Sequence, residues 1–121
     1  MSDLLSGKRI LIVEDQYLLA DDACAILNAE DAAIVGPVRS VADAMLALPF
    51  GVDAAVLDVA LTDGAVYPVA EALEARGTPF LFMTGYAPDI IPVRWADIAI
   101  LTKPVSSQRL VEAVSSLLAN G

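Results

Sequence analysis

The chain has 121 residues, 57% of them apolar, with one cysteine, no histidine and sixteen acidic against seven basic residues, a net charge of −9. A domain of this length buries roughly two-thirds of its unfolded surface without disulfides or a structural metal, and charges break every apolar stretch before the roughly 18 residues a membrane span needs. The lone Cys24 excludes an internal disulfide and a thiolate zinc site and reads as a core residue; the absence of histidine excludes His-ligated metals and Ser-His triads, and a negative chain without a basic patch excludes nucleic acid as a partner. The N-terminal residues lack a basic region followed by an apolar core, so no secretory signal is read, and one domain over 1–121 in the cytoplasm, with no output domain, is expected.

Residues 8–14, Lys-Arg-Ile-Leu-Ile-Val-Glu, form an aliphatic run with charged ends, the pattern of a central parallel strand buried on both faces. Over 17–27, Leu18, Leu19, Ala23, Ile26 and Leu27 recur at helical spacing opposite Asp21 and Asp22. A second strand is predicted over 33–37, a short helix over 41–48, a third strand over 54–57 ending at Asp58, and a helix over 65–76. Pro68 is compatible with that last helix only if the helix begins beside it. Thr78-Pro79 restarts the chain for a fourth strand over 80–83, a fifth follows over 98–101, and an amphipathic helix over 107–118 closes the domain. Five β-α units in one domain, joined by right-handed crossovers, predict an α/β fold: a five-stranded parallel doubly wound sheet with helices on both faces, the flavodoxin-like order 2-1-3-4-5.

In such a sheet all strand C-termini open on one edge. Glu14 and Asp15 follow the first strand, Asp58 the third, Thr84 the fourth and Lys103-Pro104 the fifth, so these polar groups converge. Three carboxylates at one point repel one another and need either raised pKa values or a divalent cation, and an all-oxygen donor set suits Mg²⁺. A hydroxyl and an ammonium beside that cation make a phosphoryl pocket.

With these residues in this order and spacing, the chain resembles a response-regulator receiver domain (CheY-like) along nearly its whole length. The resemblance implies that Asp58 is the phosphoacceptor for a phosphohistidine on a partner protein, a histidine kinase or histidine phosphotransfer protein. It implies that Glu14, Asp15, Asp58 and the backbone carbonyl of Ala60 hold Mg²⁺, that Lys103 contacts a phosphoryl oxygen, that Thr84 donates its hydroxyl, and that Lys103-Pro104 is the cis peptide receivers place there. Gly85 would leave room beside the acyl phosphate. The implied function is a stand-alone receiver in two-component phosphorelay signalling. It is no enzyme beyond its own phosphoryl transfer and autodephosphorylation, and it signals to a downstream protein target by altered contacts.

Departures from the family narrow the subgroup. Ile100 stands three residues before Lys103, where receivers commonly carry an aromatic switch, and Leu61-Thr62-Asp63-Gly64 lacks the proline often found four residues after the phosphoacceptor. Pro79-Phe80, then Phe82-Met83-Thr84-Gly85-Tyr86, is similar to the FATGUY group of single-domain receivers, associated with HWE-type kinases. Ala60 and Tyr86 occupy the positions that flank the approach of hydrolytic water in receivers, and the Tyr86 ring would shield the acyl phosphate. Residues 88–95 fall where receivers place their fourth helix, but Pro92 removes the N–H that would bond back to Pro88. A short or irregular segment serving as the switch is therefore expected, with Trp95 either covered by a partner or buried in the domain's own core. Two other readings stay open: a phosphate sink without a downstream target, and a haloacid-dehalogenase-like phosphotransferase. The latter needs a second acid two residues after the nucleophile, where this chain has Ala60. A pseudo-receiver that only binds is opposed by the complete acid, Thr and Lys set.

Overall fold

The computed structural model describes residues 4–85 and 91–120. The chain alternates strands and helices: β1 (Arg9–Val13), α1 (Tyr17–Asn28), β2 (Ala33–Val38), α2 (Val41–Ala47), β3 (Ala54–Asp58), the two-residue strands β4 (Ala60–Leu61) and β5 (Gly64–Ala65), α3 (Tyr67–Ala75), β6 (Phe80–Thr84), β7 (Ile100–Thr102) and α4 (Ser107–Asn120). The five longer strands form one sheet in the order β2-β1-β3-β6-β7, every neighbouring pair parallel. Counting only those strands, this is the expected 2-1-3-4-5 order. β4 and β5 pair with each other as a small antiparallel hairpin directly after Asp58.

Strand alternation explains why both faces are dry. Leu11, Val13, Ala55, Leu57, Phe80 and Phe82 point to the layer of α2 and α3, where Ala44, Val69, Ala70 and Leu73 meet them. The intervening residues Ile10, Ile12, Ala54, Val56, Leu81 and Met83 point to α1 and α4, against Ala23, Leu27, Leu110 and Val114. Successive residues of the central strands thus bury opposite faces, which is why β1 and β3 read as unbroken apolar runs. Cys24 is free and half-buried at the edge of the second layer. Among the described residues no helix is long and apolar enough to cross a membrane.

Several boundaries differ from the sequence reading, each for a local reason. Residues 64–65 pair back on the 60–61 segment, so α3 begins at Tyr67 and places Pro68 within its first two positions, where the missing N–H is not needed. The fifth strand runs over Ile100–Thr102, with Ile98 left outside it, because pairing with β6 begins at Phe82 opposite Ile100. In β2 the register slips between Leu11 and Val13 of its partner strand. Gly36 sits there at φ 101°, and an added Cβ would come within 2.7 Å of the Val38 nitrogen and 3.1 Å of the Ile12 carbonyl oxygen. Only glycine fits that close approach.

Tyr86 and residues 88–90, to which the sequence assigns a shield and the start of a switch segment, lie outside the described residues. Val93–Trp95 forms a single 3-10 turn, Ile91 is buried, and Val93 is exposed. Trp95 is only 2% exposed, so it belongs to the domain's own core and is not free for a partner to cover. Its ring stacks on Tyr67 with centroids 6.4 Å apart and meets Phe80 and Phe82 edge-on at 5.8 and 6.1 Å. Ile100 packs against the same layer.

Candidate phosphoacceptor site

The C-terminal ends of β1, β3, β6 and β7 deliver the anticipated groups to one edge of the sheet. Asp58 is the last residue of β3, paired in register with Met83, so Thr84 stands one residue further along the adjacent strand. Thr84 is in turn paired with Thr102, and the Lys103 N–H donates to the Thr84 carbonyl at 2.8 Å, which brings the Lys103 side chain back over the strand ends. The Lys103–Pro104 peptide is cis, as the resemblance implies; Gly36–Pro37 is cis as well, which the sequence reading did not anticipate.

The Lys103 ammonium lies 2.7 Å from Glu14 Oε1 and 3.3 Å from Asp58 Oδ1. Glu14 is fully buried, and its other oxygen, Oε2, accepts the Gln16 N–H at 3.1 Å. Asp58 and Thr84 are nearly so, at 6% and 1% exposure, while Asp15 is half-buried at the rim. Carboxylate oxygens of Glu14, Asp15 and Asp58 all lie within 4.8 Å of one another. Asp15 and Asp58 line, with Gln16, Ala60, Leu61, Gly85 and Lys103, a cleft of about 300 Å³, and Glu14 lies buried beneath Lys103. At Gly85 an added Cβ would meet nothing within 4 Å.

The electrostatics follow from one ammonium shared by two buried acids, Glu14 and Asp58, with Asp15 close by. Burial, then the charge of Glu14, pushes the Asp58 carboxyl up to about 7, against the opposing pull of Lys103. Burial alone would lower Lys103, but its hydrogen bond to Glu14 and the charges of Asp58 and Glu14 outweigh that and hold the ammonium above its ordinary value. The site is therefore built with a surplus of negative charge. A hard divalent cation bound by oxygens would neutralise it, and the donor set present suits Mg²⁺.

All six residues assigned from the sequence, Glu14, Asp15, Asp58, Ala60, Thr84 and Lys103, meet at this edge. Two flanking residues escaped that reading. Asp63, at the tip of the β4–β5 hairpin, accepts the N–H groups of Val41 and Ala42 at 2.8 and 3.2 Å, which holds its carboxyl below the usual range. Arg39 reaches the Asp15 carbonyl from the end of β2. Both contacts span more than twenty residues, and no local pattern signals them.

No family model matches the chain and no curated protein matches it. Solved structures do. SdrG from Sphingomonas melonis Fr1 is 41% identical over 98% of this chain and 99% of its own, with a TM-score of 0.82. The BeF3-activated conformation of SdrG gives a TM-score of 0.80, with 93% of this chain and 98% of that one covered at 41% identity. A response regulator receiver protein from Sinorhizobium medicae WSM419 is 29% identical over 95% of this chain and 97% of its own, with a TM-score of 0.80. A CheY-like receiver domain protein from Methanospirillum hungatei JF-1 is 27% identical over 95% and 96%, also at 0.80. On the 41% identity to SdrG over nearly the whole of both chains, and the fold shared with the receiver domains, the chain belongs to the CheY-like response-regulator receiver domains.

Proposed function

We propose that this chain is a stand-alone, cytoplasmic receiver that takes a phosphoryl group from a partner phosphohistidine onto Asp58, with Mg²⁺ held by Glu14, Asp15, Asp58 and the backbone carbonyl of Ala60. The observation that carries the reading is the gathering of three carboxylates within 4.8 Å of one another, two of them paired with the Lys103 ammonium, beside a cleft that Asp15 and Asp58 line. The near end-to-end match to SdrG, a protein with a BeF3-activated form, supports both the single-domain reading and a site that accepts a phosphoryl-like group.

A carboxylate oxygen of Asp58 forms a bond to phosphorus while the phosphorus–nitrogen bond of the partner's phosphohistidine breaks, and the imidazole departs with the electron pair. When bound, Mg²⁺ offsets charge on the attacking and transferred oxygens. Lys103, 3.3 Å from Asp58, pairs with a phosphoryl oxygen once the Asp58 carboxylate has become an acyl phosphate. Thr84 donates its hydroxyl from the next strand. Burial of Glu14 beneath Lys103 keeps that ammonium charged and fixed at the cleft floor. Water later cleaves the acyl phosphate, the only other reaction the protein promotes.

The partner is a histidine kinase or histidine phosphotransfer protein, the FATGUY resemblance of residues 80–86 favouring the HWE type, and the phosphorylated form signals through altered contacts with a downstream protein. Labelled acetyl phosphate, with and without excess chelator, tests the chemistry. Label should appear only with divalent cation and should vanish in Asp58→Asn; labelling of that variant at the wild-type rate would remove the site. A phosphate sink differs only in lacking a target.

A further inference from the structure

The junction between β2 and α2 supplies none of the six site residues, yet it grips both loops that flank Asp58. Arg39 follows β2 directly; its Nη2 donates to the Asp15 backbone carbonyl at 3.2 Å and its Nη1 to the Tyr17 hydroxyl. The guanidinium also lies over the Tyr17 ring, 3.8 Å from the centroid. These contacts bracket residues 15–17, the turn that carries Asp15 from β1 into α1. On its other side the same junction holds the β4–β5 hairpin, through the Asp63 carboxylate on the Val41 and Ala42 N–H groups and a long contact of 3.5 Å from the Thr62 hydroxyl to the Arg39 carbonyl. That hairpin begins at Ala60, whose carbonyl is the fourth oxygen of the proposed cation site.

A fixed positive charge beside a cation site opposes cation binding, by Coulomb repulsion. Its presence here calls for a geometric benefit that exceeds that cost. A planar fork of donors with an aromatic-stacking face can hold a backbone carbonyl and a phenol ring at once, which an ammonium cannot. We infer that Arg39 is a positioning residue for the divalent-cation site, holding the Asp15 turn in place while its own segment anchors the Ala60 hairpin through Asp63. The inference rests on the proposed use of Glu14, Asp15 and Asp58 as cation ligands.

The test needs no phosphodonor: Mg²⁺ is titrated into wild type, Arg39→Met and Arg39→Lys, followed by calorimetry and by amide shifts of residues 14–17 and 58–61. Urea unfolding in chelator reports the fold separately. Loss of a residue that orients ligands weakens metal binding at least about tenfold, so Kd for Mg²⁺ should rise about tenfold in Arg39→Met, with metal-free stability little changed. Arg39→Lys, with the charge kept and one donor in place of the fork, should fall between. A bystander charge predicts the opposite sign, since its removal would tighten Mg²⁺ binding, and an unchanged or lower Kd in Arg39→Met overturns the inference. If Arg39→Met does not fold, Arg39→Lys decides, and a wild-type Kd there overturns it equally. Failure of the wild-type protein itself to bind Mg²⁺ would overturn the cation site, and Arg39's role with it.

Discussion

Asp58→Asn should stabilise the metal-free protein at alkaline pH and leave it unchanged at acid pH. In the folded chain the Asp58 carboxyl is raised from 3.8 to about 7 by burial and by Glu14. A carboxyl raised on folding favours the native state while it is protonated, so its contribution is fully present below about pH 4 and is lost as pH climbs through 7. A rise of about three pH units corresponds to at most about 4 kcal/mol lost by pH 8. Relaxation at the cleft mouth and entry of water reduce this, and about 2 kcal/mol is expected. Asparagine has the shape of the protonated acid and keeps an oxygen for Lys103, which sits 3.3 Å from Asp58 and 2.7 Å from Glu14. Urea unfolding in chelator, followed by far-ultraviolet circular dichroism at pH 5 and pH 8, measures both differences. The variant should be more stable by about 2 kcal/mol at pH 8 and by under about 1 at pH 5. Saturating Mg²⁺ should reverse the order at pH 8, because ligand bound only by the native state stabilises it and the wild type keeps all three carboxylates. A variant no more stable than wild type at pH 8, or one whose advantage is the same at both values, would refute the charge-surplus account of the site.

Lys103→Met should cost about 3 kcal/mol in chelator at pH 7, because it strips the fully buried Glu14 of its ammonium. Mg²⁺ should restore most of that loss in the same denaturation assay, while acetyl phosphate labelling falls. Trp95→Ala should cost about 3–5 kcal/mol, since the ring is the hub of contacts to Tyr67, Phe80 and Phe82. A loss under about 1 kcal/mol on urea unfolding would mean that the turn at Val93–Trp95 is not held by this packing.

The fold and the placement of the candidate site residues were legible in the sequence because both rest on short-range patterns. A central parallel strand is covered on two sides, so Ile10–Val13 of β1 and Ala54–Leu57 of β3 are unbroken apolar runs, and the acids that end them, Glu14 and Asp58, mark the open edge of the sheet. The crossover rule then stacks the strand ends, and Glu14, Asp15, Asp58, Thr84 and Lys103 must lie together whatever the details of the helices between them. Ends of elements were less legible, as the start of α3 at Tyr67 and of β7 at Ile100 illustrate, because each depends on which partner the chain finds across a turn. What tertiary structure alone decided is where side chains reach between segments distant in sequence. Trp95 has the same local sequence whether it faces solvent or core, and only the pocket framed by Tyr67, Phe80 and Phe82 buries it. Arg39 and Asp63 lie in loops with no periodic signal, and their grip on residues 15–17 and 41–42 exists only once β1, β2 and β3 are side by side in the sheet. Strand periodicity is a property of a few neighbouring residues; a contact between loops is a property of the angles and distances that the whole sheet sets.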